Sequence, residues 1–178
     1  FYGESGGQVG DQGVIQTPDC KININDTQKK IGELSVHIGK VEKGSIKIKE
    51  SVNLLIDIEK RNNSKANHSA THLLHESLRK TLGKHVMQKG SLVSPEKLRF
   101  DFSHNKPITK DEMVKIIKTV NEMVEGASDV QTRIMSPKEA IELGAMALFG
   151  EKYGEEVRVV FMGKGSNNFF STELCGGT

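Results

Sequence analysis

Two histidines and one cysteine are the residues of this sequence best suited to chemistry. His68 and His72 stand four positions apart in a segment with helical periodicity, and Cys175 is followed by two glycines. Side chains at i and i+4 lie on one face of a helix, so both imidazoles can reach the same ion. Two nitrogens and one thiolate suit zinc better than other common metals. The spacing therefore indicates a zinc site.

Two features of such a site stay open at this point. A zinc protease would carry a glutamate directly after the first histidine, but Ser69 stands there, so the helix provides no general base of that kind. Zinc usually takes four ligands, and we expect the fourth to follow Thr178. The alternative is that the two histidines lie on an exposed helix face and bind no metal.

The composition limits the class of protein. The 178 residues suffice for one domain, or for one domain and a small module. The net charge of +2 provides no overall basic field, so a nucleic-acid partner would need a local patch. Cys20 and Cys175 are too few for a disulfide framework, which favours a reducing cytoplasm. There is no signal peptide and no apolar run of transmembrane length, so we expect no membrane partner.

The first third of the sequence predicts a small β-module. Residues 1–13 contain five glycines, which indicates an ordered loop with unusual dihedral angles, either a phosphate-binding loop or a structural turn. From Val14 to Ile58 apolar residues alternate with polar ones, which predicts an antiparallel meander or barrel-like module. Residues 62–64, Asn-Asn-Ser, break this pattern and mark the expected boundary. We therefore expect a barrel-like module at 1–60 and an α+β domain at 61–178.

The histidine pair belongs to a helix that we expect from about Lys65 to Leu82, ending at Gly83. Its buried stripe comprises Ala66, Ala70, Leu73, Leu74 and Leu78. We expect His75 to be a partly exposed helix residue or a group that supports a ligand, rather than a ligand.

The rest of the sequence predicts an α+β domain with an antiparallel sheet. Capping boxes at Thr109 with Glu112 and at Ser136 with Glu139 mark the starts of two further helices, the first running to about Val124. We expect strands at Val86–Val93, Leu98–Ser103, Asp129–Met135 and Val157–Met162. The last stretch, 163–178, is expected to be a loop or hairpin that carries Cys175.

Several motifs together resemble the editing region of alanyl-tRNA synthetase. They are the helix segment NHSATHLLH at 67–75 and CGGT at 175–178, with ESGGQVGD at 4–11, QKGSLV at 88–93 and RFDFSH at 99–104. The resemblance covers essentially the whole chain. It implies hydrolysis of mischarged tRNA for alanine, chiefly carrying serine and also glycine. Freestanding relatives catalyse the same hydrolysis in trans, and the editing domain of threonyl-tRNA synthetase is a more distant relative that shares the metal-binding histidine helix.

The resemblance also implies roles for individual residues. The metal ligands would be His68, His72, Cys175 and a histidine after Thr178, beyond which the domain would continue. The residues around the substrate would be Thr71, Gln88 and Ser91, with the loop residues Gly6, Gly7 and Gln8 facing the pocket. Zinc could hold the substrate or a water, or polarise a carbonyl, and the sequence does not choose among these.

The tRNA partner requires positive charge near the site. Lys65, Arg79, Lys80, Lys84 and Lys89 cluster along the metal helix and the strand after it, where phosphate contacts would position the acceptor end. Of these, Lys80, Lys84 and Lys89 are our candidates. A later group is interpreted as a solvated helix face: Lys106, Lys110, Lys115 and Lys118.

Three functions remain open on the sequence alone. The first is deacylation within a synthetase chain, whose full-length form would also bind ATP. The second is a freestanding deacylase that acts on tRNA charged elsewhere. The third is a non-catalytic RNA-binding module with a structural zinc, since a fourth protein ligand would close the metal shell.

Overall fold

A computed structural model describes residues 1–32, 34–146, 154–164 and 169–178. Within these ranges the protein contains three helices and antiparallel sheets, so the expected α+β class is confirmed. The chain divides into two compact units. The first unit contains residues 1–68, 91–98 and 177–178, and the second contains 69–90 and 99–176.

The described elements alternate between short strands and helices. In chain order they are β1 Gly13–Gln16, β2 Lys21–Lys30, β3 Leu34–Lys43, β4 Asn53–Ile56, α1 Ile58–Leu82, β5 Gln88–Val93, β6 Leu98–Phe102, α2 Lys110–Glu125, β7 Gln131–Met135, α3 Pro137–Glu142, β8 Val157–Lys164 and β9 Phe169–Leu174. None of the helices in the described ranges has the length and apolar character needed to span a bilayer.

The first unit is built on a four-stranded antiparallel sheet in the order β3-β2-β1-β4. Central β1 pairs on both sides, so that Ile15 lies opposite Ile22 in β2 and opposite Leu54 in β4. Among the described residues β3 and β4 are edges that do not pair with each other. The strands therefore form an open sheet and not a closed barrel. The alternating pattern predicted the strands, but alternation alone does not specify closure.

The glycine-rich segment forms a tight turn in the first unit. Ser5 and Gln8 exchange both backbone hydrogen bonds, at 3.1 and 3.0 Å, around Gly6 and Gly7. Both glycines have positive φ, 57° and 85°, which side-chain-bearing residues rarely adopt. The loop then pairs with the end of β5, where Val93 N–H donates to the Gly7 carbonyl at 2.7 Å. The sequence left open a phosphate-binding loop or a structural turn, and the local conformation is that of a turn.

Helix α1 begins seven residues earlier than the sequence pattern predicted. Asp57 is its N-cap, since its carboxylate accepts from the Lys60 N–H at 3.0 Å. The expected break at 62–64 is wrong, because these residues lie inside the helix. Polar residues such as Asn and Ser weaken a helix only slightly, and an effective cap upstream is enough to include them. The predicted end is confirmed by Gly83, whose φ is 120°.

The second unit has a three-stranded antiparallel sheet in the order β7-β8-β9. Both expected capping boxes are present, with the Thr109 hydroxyl accepting from the Glu112 N–H and the Ser136 hydroxyl accepting from the Glu139 N–H. The predicted hairpin near the end of the sequence corresponds to the β8–β9 pair, while its residues 165–168 lie outside the described residues.

The second half of α1 is buried within the second unit. Leu73 packs with Val160 and Met162, and Leu78 packs with Val86 and Ile116. The predicted stripe is confirmed for these two leucines. This packing anchors the helix against the sheet strand β8 and against α2, and so fixes the turn that carries His72.

A buried ion pair links the glycine-rich loop to the start of α1 within the first unit. The Arg61 guanidinium bonds both carboxylate oxygens of Asp11, with Nε to Oδ1 at 2.8 Å, and the Tyr2 N–H donates to Oδ2 at 2.6 Å. Burial by itself would raise the pKa of Asp11, but the hydrogen bonds from Arg61 and Tyr2 outweigh it and lower the pKa below its ordinary value.

We predict that this pair makes the stability of the protein depend on acidity. Because the pKa of Asp11 is lowered on folding, its contribution is complete above the ordinary pKa of 3.8 and is lost as the pH falls below it. Asp11→Asn should cost about 2 kcal/mol of unfolding free energy at pH 7. Urea denaturation should show this difference shrinking below about pH 4.

The matched control is Asp19→Asn on the exposed turn before β2. It should change the unfolding free energy by no more than about 0.5 kcal/mol at any of these pH values. An Asp11→Asn penalty that is the same at pH 7 and pH 3 would contradict the assignment.

Candidate metal centre

Three potential ligands lie together at the middle of α1. His68, His72 and Cys175 each offer one ligand atom, and these atoms are all within 4.8 Å of one another. The two histidines occupy successive turns of one continuous helix, as their spacing predicted. A nitrogen–nitrogen–sulfur set at this separation fits the donor chemistry of zinc, whose bonds to His and Cys are about 2.0–2.3 Å long.

The position of Cys175 is fixed by strand pairing in the second unit. It directly follows β9, and its backbone N–H donates to the Arg158 carbonyl on β8 at 3.0 Å. The Arg158 guanidinium donates back to the Cys175 carbonyl at 2.8 Å. The backbone of the cysteine is thus held through both its N–H and its carbonyl oxygen, so the position of its Cα does not depend on a bound ion.

Two side chains of the second unit lie against the His72 ring. Its Nδ1 lies 2.7 Å from Glu173 Oε2, and the ring also contacts the Cys175 side chain. Burial alone would lower the pKa of His72, but these two partners outweigh it and raise the pKa to about 10. Burial would likewise raise the pKa of Glu173, but the hydrogen bond with His72 and the nearby His75 ring instead lower it to about 2.

In the first unit, the glycine-rich loop meets the residues that follow Cys175. Gln8 is only 2% exposed, and its amide donates to Thr178 Oγ1 at 2.7 Å and accepts from the Thr178 N–H at 3.2 Å. Gly177 lies directly against His68, because a Cβ on this glycine would come within 1.9 Å of the ring. Gln8 thereby positions the chain segment that borders His68.

The residues expected around the substrate have different environments. Thr71 is 5% exposed and so is a buried residue of α1, not a helix-surface threonine. Gln88 and Ser91 are both partly buried on β5. In the first unit Gly7 packs on Ser91, since a Cβ on the glycine would come within 2.6 Å of the Ser91 carbonyl oxygen. Of the expected set, the glycine-rich loop and Ser91 are therefore in direct contact.

Two of the expected tRNA-binding lysines line a cavity in the second unit. Lys80 and Lys84 border a space of about 830 Å³ together with Arg79 and Arg133. Lys80 is also engaged locally, with Nζ 3.9 Å above the Phe170 ring. Three residues of the positive cluster named from the sequence, Arg79, Lys80 and Lys84, therefore lie around one cavity.

Lys89 is exposed on β5 and is not among the residues that line this cavity. The later lysines include Lys115 and Lys118, both exposed on α2, where Lys118 pairs with Glu122 at 3.8 Å. Their exposure agrees with the expected solvated helix face.

Sequence reasoning overlooked Glu173 and misjudged His75. His75 is buried at 4% exposure, so the expectation of a partly exposed residue is wrong, and the alternative of a supporting group remains. Its position follows from Phe100, whose ring centroid lies 5.0 Å away, and from Glu173. One signal could have identified Glu173: in a strand, residues i and i+2 share a face, and it stands two positions before Cys175.

The first 60 residues match the family model described as tRNA synthetases class II (A). A class II tRNA synthetase is therefore the class of protein to which this part of the sequence is related.

The relatives that are similar to the whole chain carry one name. The whole chain is similar to part of the alanine--tRNA ligase of Mesorhizobium japonicum, 57% identical over 183 residues, and to that of Chelativorans sp., 58% identical over 183 residues. The ligase of Parvibaculum lavamentivorans is 53% identical over 182 residues. These findings confirm the resemblance to alanyl-tRNA synthetase. The chain spans about a fifth of the length of these relatives, 21%, 21% and 20% respectively.

The close approach of Gly177 to His68 generates a prediction about metal affinity. A Cβ at position 177 would meet two atoms of the imidazole, at 1.9 and 2.6 Å, so Gly177→Ala must displace the ring. Zinc affinity, measured by competition with a chromophoric chelator, should fall by about tenfold or more.

The neighbouring glycine provides the matched control. A Cβ on Gly176 would meet nothing within 4 Å, so Gly176→Ala should bind zinc as the unchanged protein does. Equal affinities for the two alanine variants would show that His68 does not depend on the space beside it.

Proposed function

We propose that this chain is the proofreading part of an alanyl-tRNA synthetase and hydrolyses mischarged tRNA for alanine that carries serine or glycine. The observation that carries the proposal is the His68, His72 and Cys175 group beside buried Thr71. The similarity of the whole chain to part of alanine--tRNA ligases supports the same conclusion. The proposed metal is zinc, and the proposed setting is the cytoplasm.

The reaction requires positioning more than a strong base. An aminoacyl ester is already activated: water adds to its carbonyl carbon and the ribose oxygen departs, which yields free amino acid and intact tRNA. Zinc, when bound by His68, His72 and Cys175, would supply Lewis-acid polarisation. Thr71, Gln88 and Ser91 are proposed to hold the aminoacyl group and the attacking water in line, and effective positioning of this kind lowers the barrier substantially.

Selection of the substrate depends on hydrogen bonding. A site shaped for alanine cannot strongly exclude an isostere with an added hydroxyl, and gains only about 10²-fold from binding. A second site that bonds this hydroxyl discriminates better, because seryl-tRNA forms a hydrogen bond there that alanyl-tRNA cannot form. Thr71 is the candidate for this contact, since it is buried on the helical turn that connects His68 and His72.

The proposed partner is the acceptor end of tRNA for alanine, with the remainder of the synthetase in the same chain. Four basic side chains around one cavity, with aromatic Phe170 beside them, supply the phosphate contacts and stacking surface that a single-stranded RNA end uses. Such contacts determine affinity and orientation and do not read sequence.

We predict that the chain hydrolyses seryl-tRNA faster than alanyl-tRNA, and that Thr71→Val narrows this difference. Valine keeps the shape of threonine and removes the hydroxyl, so hydrolysis of seryl-tRNA should slow by up to about tenfold. The alanyl rate and the zinc content should stay unchanged. Release of radiolabelled amino acid from each tRNA measures both rates.

Thr81→Val, the same substitution further along α1, is the control and should leave both rates unaltered. An unchanged seryl-to-alanyl ratio in Thr71→Val would assign discrimination to another residue. No hydrolysis of either tRNA, with zinc bound, would favour the non-catalytic RNA-binding alternative.

We predict that Lys80, Lys84 and Lys89 contribute to tRNA affinity. Each lost phosphate contact should weaken binding and reduce the log–log salt slope by roughly 0.7–0.9. Lys84→Ala is the most direct variant, since Lys80 also packs on Phe170. The measurement is binding of a minihelix RNA across a salt series.

The control variants are Lys115→Ala and Lys118→Ala on α2, which should change affinity by less than about twofold. If they weaken binding more than the three candidate lysines do, the proposed tRNA surface is the wrong one.

A further inference from the structure

One carboxylate in the second unit is buried without being a member of the proposed ligand set. Glu173 is 5% exposed and lies on β9, two residues before Cys175. Its Oε2 is 2.7 Å from His72 Nδ1. Its Oε1 accepts from the Ser171 hydroxyl at 3.1 Å and lies 3.3 Å from His75 Nδ1. Both oxygens are therefore engaged, each in a different direction.

The contact with His72 determines which ring nitrogen can bind a metal. The two nitrogens of an imidazole point in diverging directions, and a hydrogen bond at one of them selects the tautomer and the ring orientation. With Nδ1 directed at Glu173, only Nε2 of His72 is left to face the other ligands. The ring's further contact with the Cys175 side chain agrees with that orientation.

The other oxygen of Glu173 is held by residues that do not belong to the ligand set. His75 follows His72 by three positions on α1, so both imidazoles reach the same carboxylate from one helix face. The His75 contact, at 3.3 Å, is an ion-pair contact and not a hydrogen bond. The Ser171 hydroxyl donates the better directed bond from the same strand. Together they prevent the carboxylate from rotating away from His72.

We propose that Glu173 is a positioning residue that directs His72 Nε2 toward the metal, and that Ser171 and His75 hold it in place. This inference rests on the proposed metal site. A direct ligand role is less consistent with the geometry, because Glu173 does not share the 4.8 Å cluster of ligand atoms formed by His68, His72 and Cys175.

The experiment compares zinc affinity across matched variants of the whole chain. Glu173→Gln keeps the volume and one acceptor oxygen but loses the charge, and should weaken zinc binding by about tenfold. Glu173→Leu removes the acceptor and should approach a hundredfold loss, within the range of roughly 10–100-fold for such outer partners. Glu125→Gln, exposed at the end of α2, is the control and should bind as the unchanged protein does.

A second measurement separates positioning from a merely structural role. Nitrogen-15 NMR of the zinc-loaded protein should show His72 protonated at Nδ1 and metal-bound at Nε2. In Glu173→Gln this pattern should persist, because the amide oxygen still accepts. In Glu173→Leu the Nδ1–H resonance should shift and its protection from solvent exchange should fall. Amide spectra of the metal-free variants test whether each one is folded.

The outcomes distinguish this inference from the metal site on which it rests. Zinc binding that is unchanged in Cys175→Ala would refute the metal site itself. A large loss in Cys175→Ala, with folded Glu173 variants that bind zinc normally, would refute the positioning role alone. If Glu173→Leu does not fold, Ser171→Ala takes its place, since it removes the bond to Oε1 and should weaken zinc binding by a few-fold.

Discussion

The Glu173 carboxylate is buried in the second unit, where it has lost most of its hydration. Positive charge and hydrogen bonds from neighbouring side chains must replace that hydration. The cost of burying an isolated ion is several kcal/mol even after relaxation. His72 and His75 from α1 and Ser171 from β9 offset this cost. The strand and the helix must therefore lie close enough for these side chains to reach Glu173. The position of β9 beside the second half of α1 is thus as much an electrostatic requirement as a hydrophobic one.

The same requirement brings Cys175 to the histidines. Alternation along a strand puts residues i and i+2 on one face, so a strand that delivers Glu173 to His72 also delivers the sulfur two residues later. The reciprocal bonds with Arg158 then fix the backbone at the strand end. The position of the candidate ligand Cys175 and the pairing of Glu173 with His72 therefore depend on the same strand, so a shift of β9 would disturb both.

Local patterns in the sequence predicted those parts of the protein that depend on local physics. The i, i+4 spacing of His68 and His72 and the two capping boxes are properties of single helices, and the structure contains them as expected. The sequence predicts a start of α1 that is too late, because Asp57 directly follows an alternating strand pattern and so is not recognisable as a helix cap. Local reasoning could not have decided between these two patterns.

The features that could not be predicted from the sequence depend on contacts between residues that are distant in the chain. Burial of His75 depends on Phe100 and Glu173, and no periodicity within α1 indicates that either partner would lie opposite. The open form of the first sheet likewise depends on pairing between strands that are distant in sequence.

The bonds between Gln8 and Thr178 have a consequence for how the protein is made. They join residues 170 positions apart, and the sulfur of the metal group lies in the same late segment. Translation proceeds from the N-terminus, so the glycine-rich loop and the two histidines are synthesised before Cys175 and Thr178, their later contacts, leave the ribosome. Contacts of such long sequence separation form slowly because the loop between them must first be closed. Assembly of this region is therefore expected only after the segment with Cys175 and Thr178 has been synthesised, and until then the side chains that become buried with Glu173 remain hydrated.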